Sequence, residues 1–172
     1  MFSQTPHSAA LLILSITSLA VGYYVGRATS GQPEKDDEYE ADDADDADDK
    51  DLAAIKAGLL EPCKLVFVVR TDLKMTPGKI FAQCGHATLA CYRALVKKNP
   101  QLVKHWERTG QAKIALKASS ENQLVELETA AKDLNLCARA VNDPEVGGRT
   151  VLAIGPGPVE LVNRVTGKLR LL

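Results

Sequence analysis

Lys79, Gln83 and His86 are a cation, an amide and an imidazole spaced i, i+4 and i+7, which puts all three on one side of a helix. Groups of these kinds bind anions, orient carbonyls and move protons. The cation is unusually placed. Thr76 is a good N-cap and Pro77 suits the first helical position, so Lys79 falls in the first turn. The helix dipole favours anions there, and that turn contains no acid. A lysine beside unsatisfied backbone N–H groups stabilises its helix poorly but makes a reasonable site for an anionic ligand. Ile80, Cys84, Ala87, Cys91 and Leu95 recur at similar spacing on a neighbouring apolar face. The helix therefore has one side for a core and another for chemistry.

The surrounding elements follow from the change of period along the chain. Lys64–Arg70 reads as a strand, and its unbroken apolar centre suits burial on both faces. The helix from Thr76 should run to about Lys98 and stop at Asn99-Pro100. Gln101 to Thr109 reads as a short helix or loop ending at Gly110, and Lys113–Lys117 as a second strand. Ser119-Ser120-Glu121 caps a helix reaching about Leu134, with Leu124, Leu127 and Ala131 on one face. Cys137–Val141 and Thr150–Ile154 are the third and fourth strands, Gly155-Pro-Gly-Pro158 a terminating turn, and Val159–Thr166 a last helix. Strands alternating with helices predict a single small α/β domain with a mixed or parallel sheet.

At 172 residues the chain has room for one such domain with extensions. Its net charge of −1 conceals two opposed regions. Residues 34–51 hold twelve acids and two lysines, whereas residues 52–172 hold eighteen Lys/Arg against ten Asp/Glu. The first is expected to be a self-repelling, disordered spacer. The second suits a polyanionic partner, although basic domains without one are common. Residues 9–25 form an uncharged apolar run closed by Arg27, with no positive charge before it, and read as a membrane helix rather than a cleaved signal. The predicted organisation is an anchor over 1–28, an acidic linker over 29–60 and the α/β domain over 61–172. The four cysteines form no CxxC pair and fit small buried hydrophobes in a reducing compartment. No metal or cofactor motif is present. Taken alone, His86 is more commonly a packed helix histidine than a base, and Gln83 a solvated residue.

Taken together, these residues resemble a known family. Val68-Val-Arg70, Asp72-Leu-Lys-Met75, Gly78-Lys79, Ala82-Gln83, His86-Ala87, Trp106-Glu107, Gly110-Gln111 and Lys113 recur in the order found in the peptidyl-tRNA hydrolase 2 family of archaea and eukaryotes. So do Thr150–Pro156 and Val165-Thr-Gly-Lys168. The resemblance covers about residues 63–172. It implies a four-stranded mixed sheet flanked by helices and hydrolysis of the ester between a peptide and the 3′ ribose of tRNA, without cofactor or metal. It also implies catalytic positions at Lys79, at an aspartate that aligns with Asp143, and at Thr150. Gln83 and His86 would orient the substrate. Arg70, Lys74, Lys97, Lys98 and Arg149 would meet tRNA phosphates, although an exposed lysine commonly serves solubility alone. Eukaryotic members commonly carry an N-terminal anchor associated with mitochondria, which points to an outer-membrane tether with the domain in the cytosol. A homodimer is left open.

The chain departs from the family pattern in one loop. Asp143-Pro-Glu-Val-Gly-Gly-Arg-Thr150 is about five residues shorter than the family segment, and position 147 is glycine where the family has threonine. Phe81 stands where the family often has alanine. The short loop raises an alternative reading, a hydrolase-like domain that binds tRNA or protein at a membrane without turnover.

Overall fold

The computed structural model describes residues 6–29 and 51–172, which belong to two separate units. The first contains helix α1, Pro6–Thr29. Its apolar run is diluted by Ser15, Thr17, Ser18, Gly22, Tyr23 and Tyr24. The Thr17 and Ser18 hydroxyls turn back to the carbonyls of Leu14 and Ser15, each at 3.0 Å. Among the described residues, no helix is long and apolar enough to cross a membrane. The acidic stretch 30–50 lies outside the described residues.

The second unit is a four-stranded sheet with helices against it. Its elements are β1 Cys63–Arg70, α2 Pro77–Lys98, α3 Pro100–Arg108, β2 Ala112–Ala118, α4 Glu121–Asp133, β3 Ala138–Asp143, β4 Gly148–Pro158 and α5 Val159–Thr166. Strand order is β2-β1-β4-β3; β1 and β2 are parallel, and the other two pairs are antiparallel. β1 and β4 occupy the centre and are buried almost throughout, as continuous apolar runs require when both faces are covered. Leu65, Val66, Val68 and Val69 pack with Leu152, Ile154, Leu95, Leu124 and Val162 in a single core. On α2, Ala87, Cys91, Ala94 and Leu95 supply the core side, with Ile80 and Cys84 at its margin.

Two boundaries differ from expectation. The packed unit reaches back into the stretch assigned to the linker, where Leu52 and Ile55 are buried. Asn99 explains the attachment: its Oδ1 accepts from the Leu102 N–H to cap α3, while its Nδ2 donates to the Leu52 and Ile55 carbonyls at 2.9 and 2.8 Å. The second concerns Gly155-Pro-Gly-Pro158, which is not a turn but the end of β4. Lys64 pairs with Gly157 and Val66 with Ile154, so a bulge intervenes and Pro156 falls where the ladder requires no N–H. Gly155 has φ +102°, and a Cβ there would lie 2.7 Å from the Lys64 carbonyl oxygen. Glycine permits that close approach.

Candidate active site

Capping explains why α2 starts where it does. The Thr76 hydroxyl accepts from the Lys79 N–H at 3.3 Å, and Pro77 occupies the first turn without wasting a donor. Opposite this end of the helix, β3 finishes at Asp143 and turns through residues 144–147 into β4. The turn is tied to its first residue. The Asp143 carbonyl accepts from the N–H groups of Val146 and Gly147 at 3.1 and 2.9 Å, and Asp143 Oδ1 accepts from the Glu145 N–H at 2.9 Å. An aspartate bonding its own backbone two residues on is a local turn device. Here it also aims the second carboxylate oxygen at α2.

Lys79 Nζ lies 2.7 Å from Asp143 Oδ2 and 2.8 Å from Glu145 Oε2. The two acids absent from the first turn of α2 are therefore supplied by the β3–β4 hairpin. Asp143 is buried, with only 5 % of its surface exposed, whereas the Glu145 side chain is 84 % exposed. Gln83, one turn beyond Lys79, donates from Nε2 to Asp143 Oδ2 at 3.3 Å. Its Oε1 lies 3.2 Å from the Thr150 hydroxyl, whose single proton can go there or to the Val141 carbonyl at 3.0 Å. Thr150 is fully buried at a β-bulge: Val141 pairs with Val151 and Asn142 with Arg149, leaving Thr150 as the extra residue. The bulge turns its hydroxyl toward Gln83.

The charges follow from these contacts. Hydrogen bonding to Lys79 holds the Asp143 carboxyl below the usual carboxylate range, burial opposes this, and the Glu145 N–H adds to the lowering. Lys79 is raised in turn, first by Asp143 and then by Glu145. At neutral pH the centre is an ammonium between an inner and an outer carboxylate.

The structure brings Lys79, Asp143, Gln83 and Thr150 together. His86 is exposed farther along α2, and Lys74 is exposed in the preceding connection with φ +48°. Arg70 is differently employed. Its guanidinium clasps Asp72 through Nε and Nη2 at 3.3 and 2.7 Å, while Nη1 reaches Glu121 at 3.2 Å and the Arg149 carbonyl at 2.8 Å. The Arg149 side chain pairs with buried Glu128, which also meets Lys132 at 3.0 Å. Both arginines thus join elements of the fold. Lys97 and Lys98 are exposed in the last turn of α2. Among the described residues, no three His, Cys, Asp or Glu side chains are grouped to hold a metal.

Glu145 is the site residue that the sequence argument overlooked. The sequence shows only an acid two positions beyond Asp143; that it faces Lys79 follows from the closed hairpin.

Comparison with known proteins adds the family context. The family model described as Peptidyl-tRNA hydrolase PTH2 matches residues 63–172. The chain is 53 % identical over 113 residues to the probable peptidyl-tRNA hydrolase 2 of Schizosaccharomyces pombe, covering 63 % of this chain and 55 % of that protein. It is 49 % identical over 113 residues to the mitochondrial peptidyl-tRNA hydrolase 2 of Mus musculus, covering 63 % of this chain and 62 % of that one. It therefore spans less than two thirds of these two relatives. Against the peptidyl-tRNA hydrolase of Thermococcus sibiricus the identity is 39 % over 114 residues, 63 % of this chain and 97 % of that protein.

Proposed function

This chain belongs to the Peptidyl-tRNA hydrolase PTH2 family, and we propose that it hydrolyses the ester joining a peptide to the 3′ end of tRNA. The observation that carries this reading is the Lys79 ammonium, fixed at the start of α2 by a buried carboxylate 2.7 Å away. Water attack on the ester carbonyl moves negative charge onto oxygen, and a pre-aligned cation stabilises that charge without reorganising during reaction. Asp143, held ionised, is a weak base; its part is to keep Lys79 in place and to orient water through its remaining lone pairs. The new bond joins water oxygen to the acyl carbon, the ester C–O bond breaks, and the proton ends on the departing ribose oxygen. Gln83 and Thr150 keep Asp143 in register with α2. The basic surplus of residues 52–172, with Lys74, His86, Lys97 and Lys98 on the surface, suits the tRNA backbone.

The mouse relative is a mitochondrial peptidyl-tRNA hydrolase 2, which supports a mitochondrial location for this chain. The tether proposed over 1–28 rests on the uncharged apolar run 9–25 and on the helical form of Pro6–Thr29.

The test is release of tRNA from an N-acetylaminoacyl-tRNA by the purified full chain. Hydrolysis above the buffer rate is expected; its absence in folded protein would contradict the proposal. A second reading, binding without turnover, is favoured by the turn itself, since residues 144–147 offer no hydroxyl or amide side chain beside Asp143. Grafting a longer Asp-Ala-Gly-x-Thr-Gln segment after residue 142 separates the two. Activity that appears only in the graft supports binding without turnover.

A further inference from the structure

Lys79 lies between two carboxylates of very different character. Asp143 is buried and is further held by Gln83 and by the Glu145 N–H. The Glu145 carboxylate is on the outside, is 84 % exposed, and has Lys79 as its hydrogen-bond partner at 2.8 Å. Its backbone is fixed by Asp143, so the side chain extends from an anchored point over the lysine. An ammonium has three donors, and these acids use two. A phosphate or oxyanion approaching from solvent meets Glu145 before it meets Asp143.

Building on the hydrolase reading, we propose that Glu145 is a specificity-determining counter-ion: it neutralises the outward side of Lys79 in the free protein and competes there with the anionic end of the incoming tRNA. The inner pair stays intact during the exchange, so the catalytic geometry is preserved. Exposed ion pairs are weak, and displacing one changes an affinity by at most about fivefold. Glu145 therefore tunes substrate binding without abolishing it, and a ligand with little negative charge competes poorly for the lysine.

The experiment compares Glu145→Gln with the wild-type full chain, using N-acetylaminoacyl-tRNA for kinetics and deacylated tRNA for equilibrium binding. Glu126→Gln, at an exposed position on α4, removes the same charge elsewhere. We expect Glu145→Gln to lower KM and the tRNA Kd about three- to fivefold with kcat changed less than about twofold. Glu126→Gln should leave both near wild type. The difference should shrink as salt is raised, because an exposed pair is screened. Unchanged KM and Kd in Glu145→Gln overturn the proposal, as does an equal shift in Glu126→Gln. A kcat loss of about tenfold or more also overturns it, by making Glu145 a participant in the chemistry. If wild type binds tRNA without hydrolysing it and Glu145→Gln binds more tightly, the counter-ion role stands and the hydrolase reading falls.

Discussion

Lys79 Nζ lies 2.7 Å from Asp143 Oδ2, so the cation that opens α2 and the acid that closes β3 form one ion pair across two elements. Neither helix nor strand contains the arrangement alone. The pair resolves the poor fit of a lysine with its helix dipole, because the hairpin brings the missing negative charge to that turn.

The first prediction concerns pH. Asp143 has a lowered pKa in the folded protein, so its contribution to stability is complete above the unfolded carboxylate value of about 4 and is lost as pH falls through the folded value. Lys79 has a raised pKa; its contribution is complete below about 10.4 and is lost as pH rises through the folded value. The difference in melting temperature between wild type and Asp143→Asn should be constant from about pH 5 to about pH 9 and shrink below about pH 4. A difference that disappears near neutrality would contradict the ion pair.

Arg70 offers a separate test, because its side chain is only 11 % exposed and it joins Asp72, Glu121 and the Arg149 carbonyl. Arg70→Ala should reduce stability by about 1–3 kcal/mol in urea unfolding, as expected for losing hydrogen bonds between charged groups. Arg70→Lys should recover only part of this, since an ammonium cannot reproduce the fork. The salt dependence of tRNA binding should keep its slope in both variants. A slope smaller by about 0.7–0.9 would instead identify Arg70 as a phosphate contact.

Gly155→Ala tests the strand that replaced a predicted turn. The added Cβ would approach the Lys64 carbonyl oxygen to 2.7 Å at a backbone φ of +102°. The expected loss is about 1–3 kcal/mol, read as a lower urea midpoint. An unchanged midpoint would mean that β1 and β4 do not approach as described.

These residues show what was legible in the sequence. The start of α2 was legible because capping is local: Thr76 and Pro77 act on their own turn. The limits Val159–Thr166 of α5 also match expectation, although no side chain caps its first turn. The end of β4 was not legible, since two prolines and two glycines signal a turn unless a bulge in the strand itself removes the need for their donors. Which cations face solvent was also hidden. Glu121 and Glu128 engage Arg70 and Arg149 through the fold, over separations of 51 and 21 residues, which no periodicity reports. The Lys79–Gln83 face was visible as a helical spacing, but Glu145 became part of the site only when the hairpin closed over it.

The most direct test of the central claim is the rate of tRNA release from N-acetylaminoacyl-tRNA by Lys79→Ala, measured beside wild type with thermal melting to confirm folding. Loss of a pre-aligned donor to a developing oxyanion predicts a kcat lower by about 10²- to 10³-fold in a protein that still melts cooperatively. A folded Lys79→Ala protein with wild-type kcat would contradict the role assigned to the Lys79–Asp143 pair.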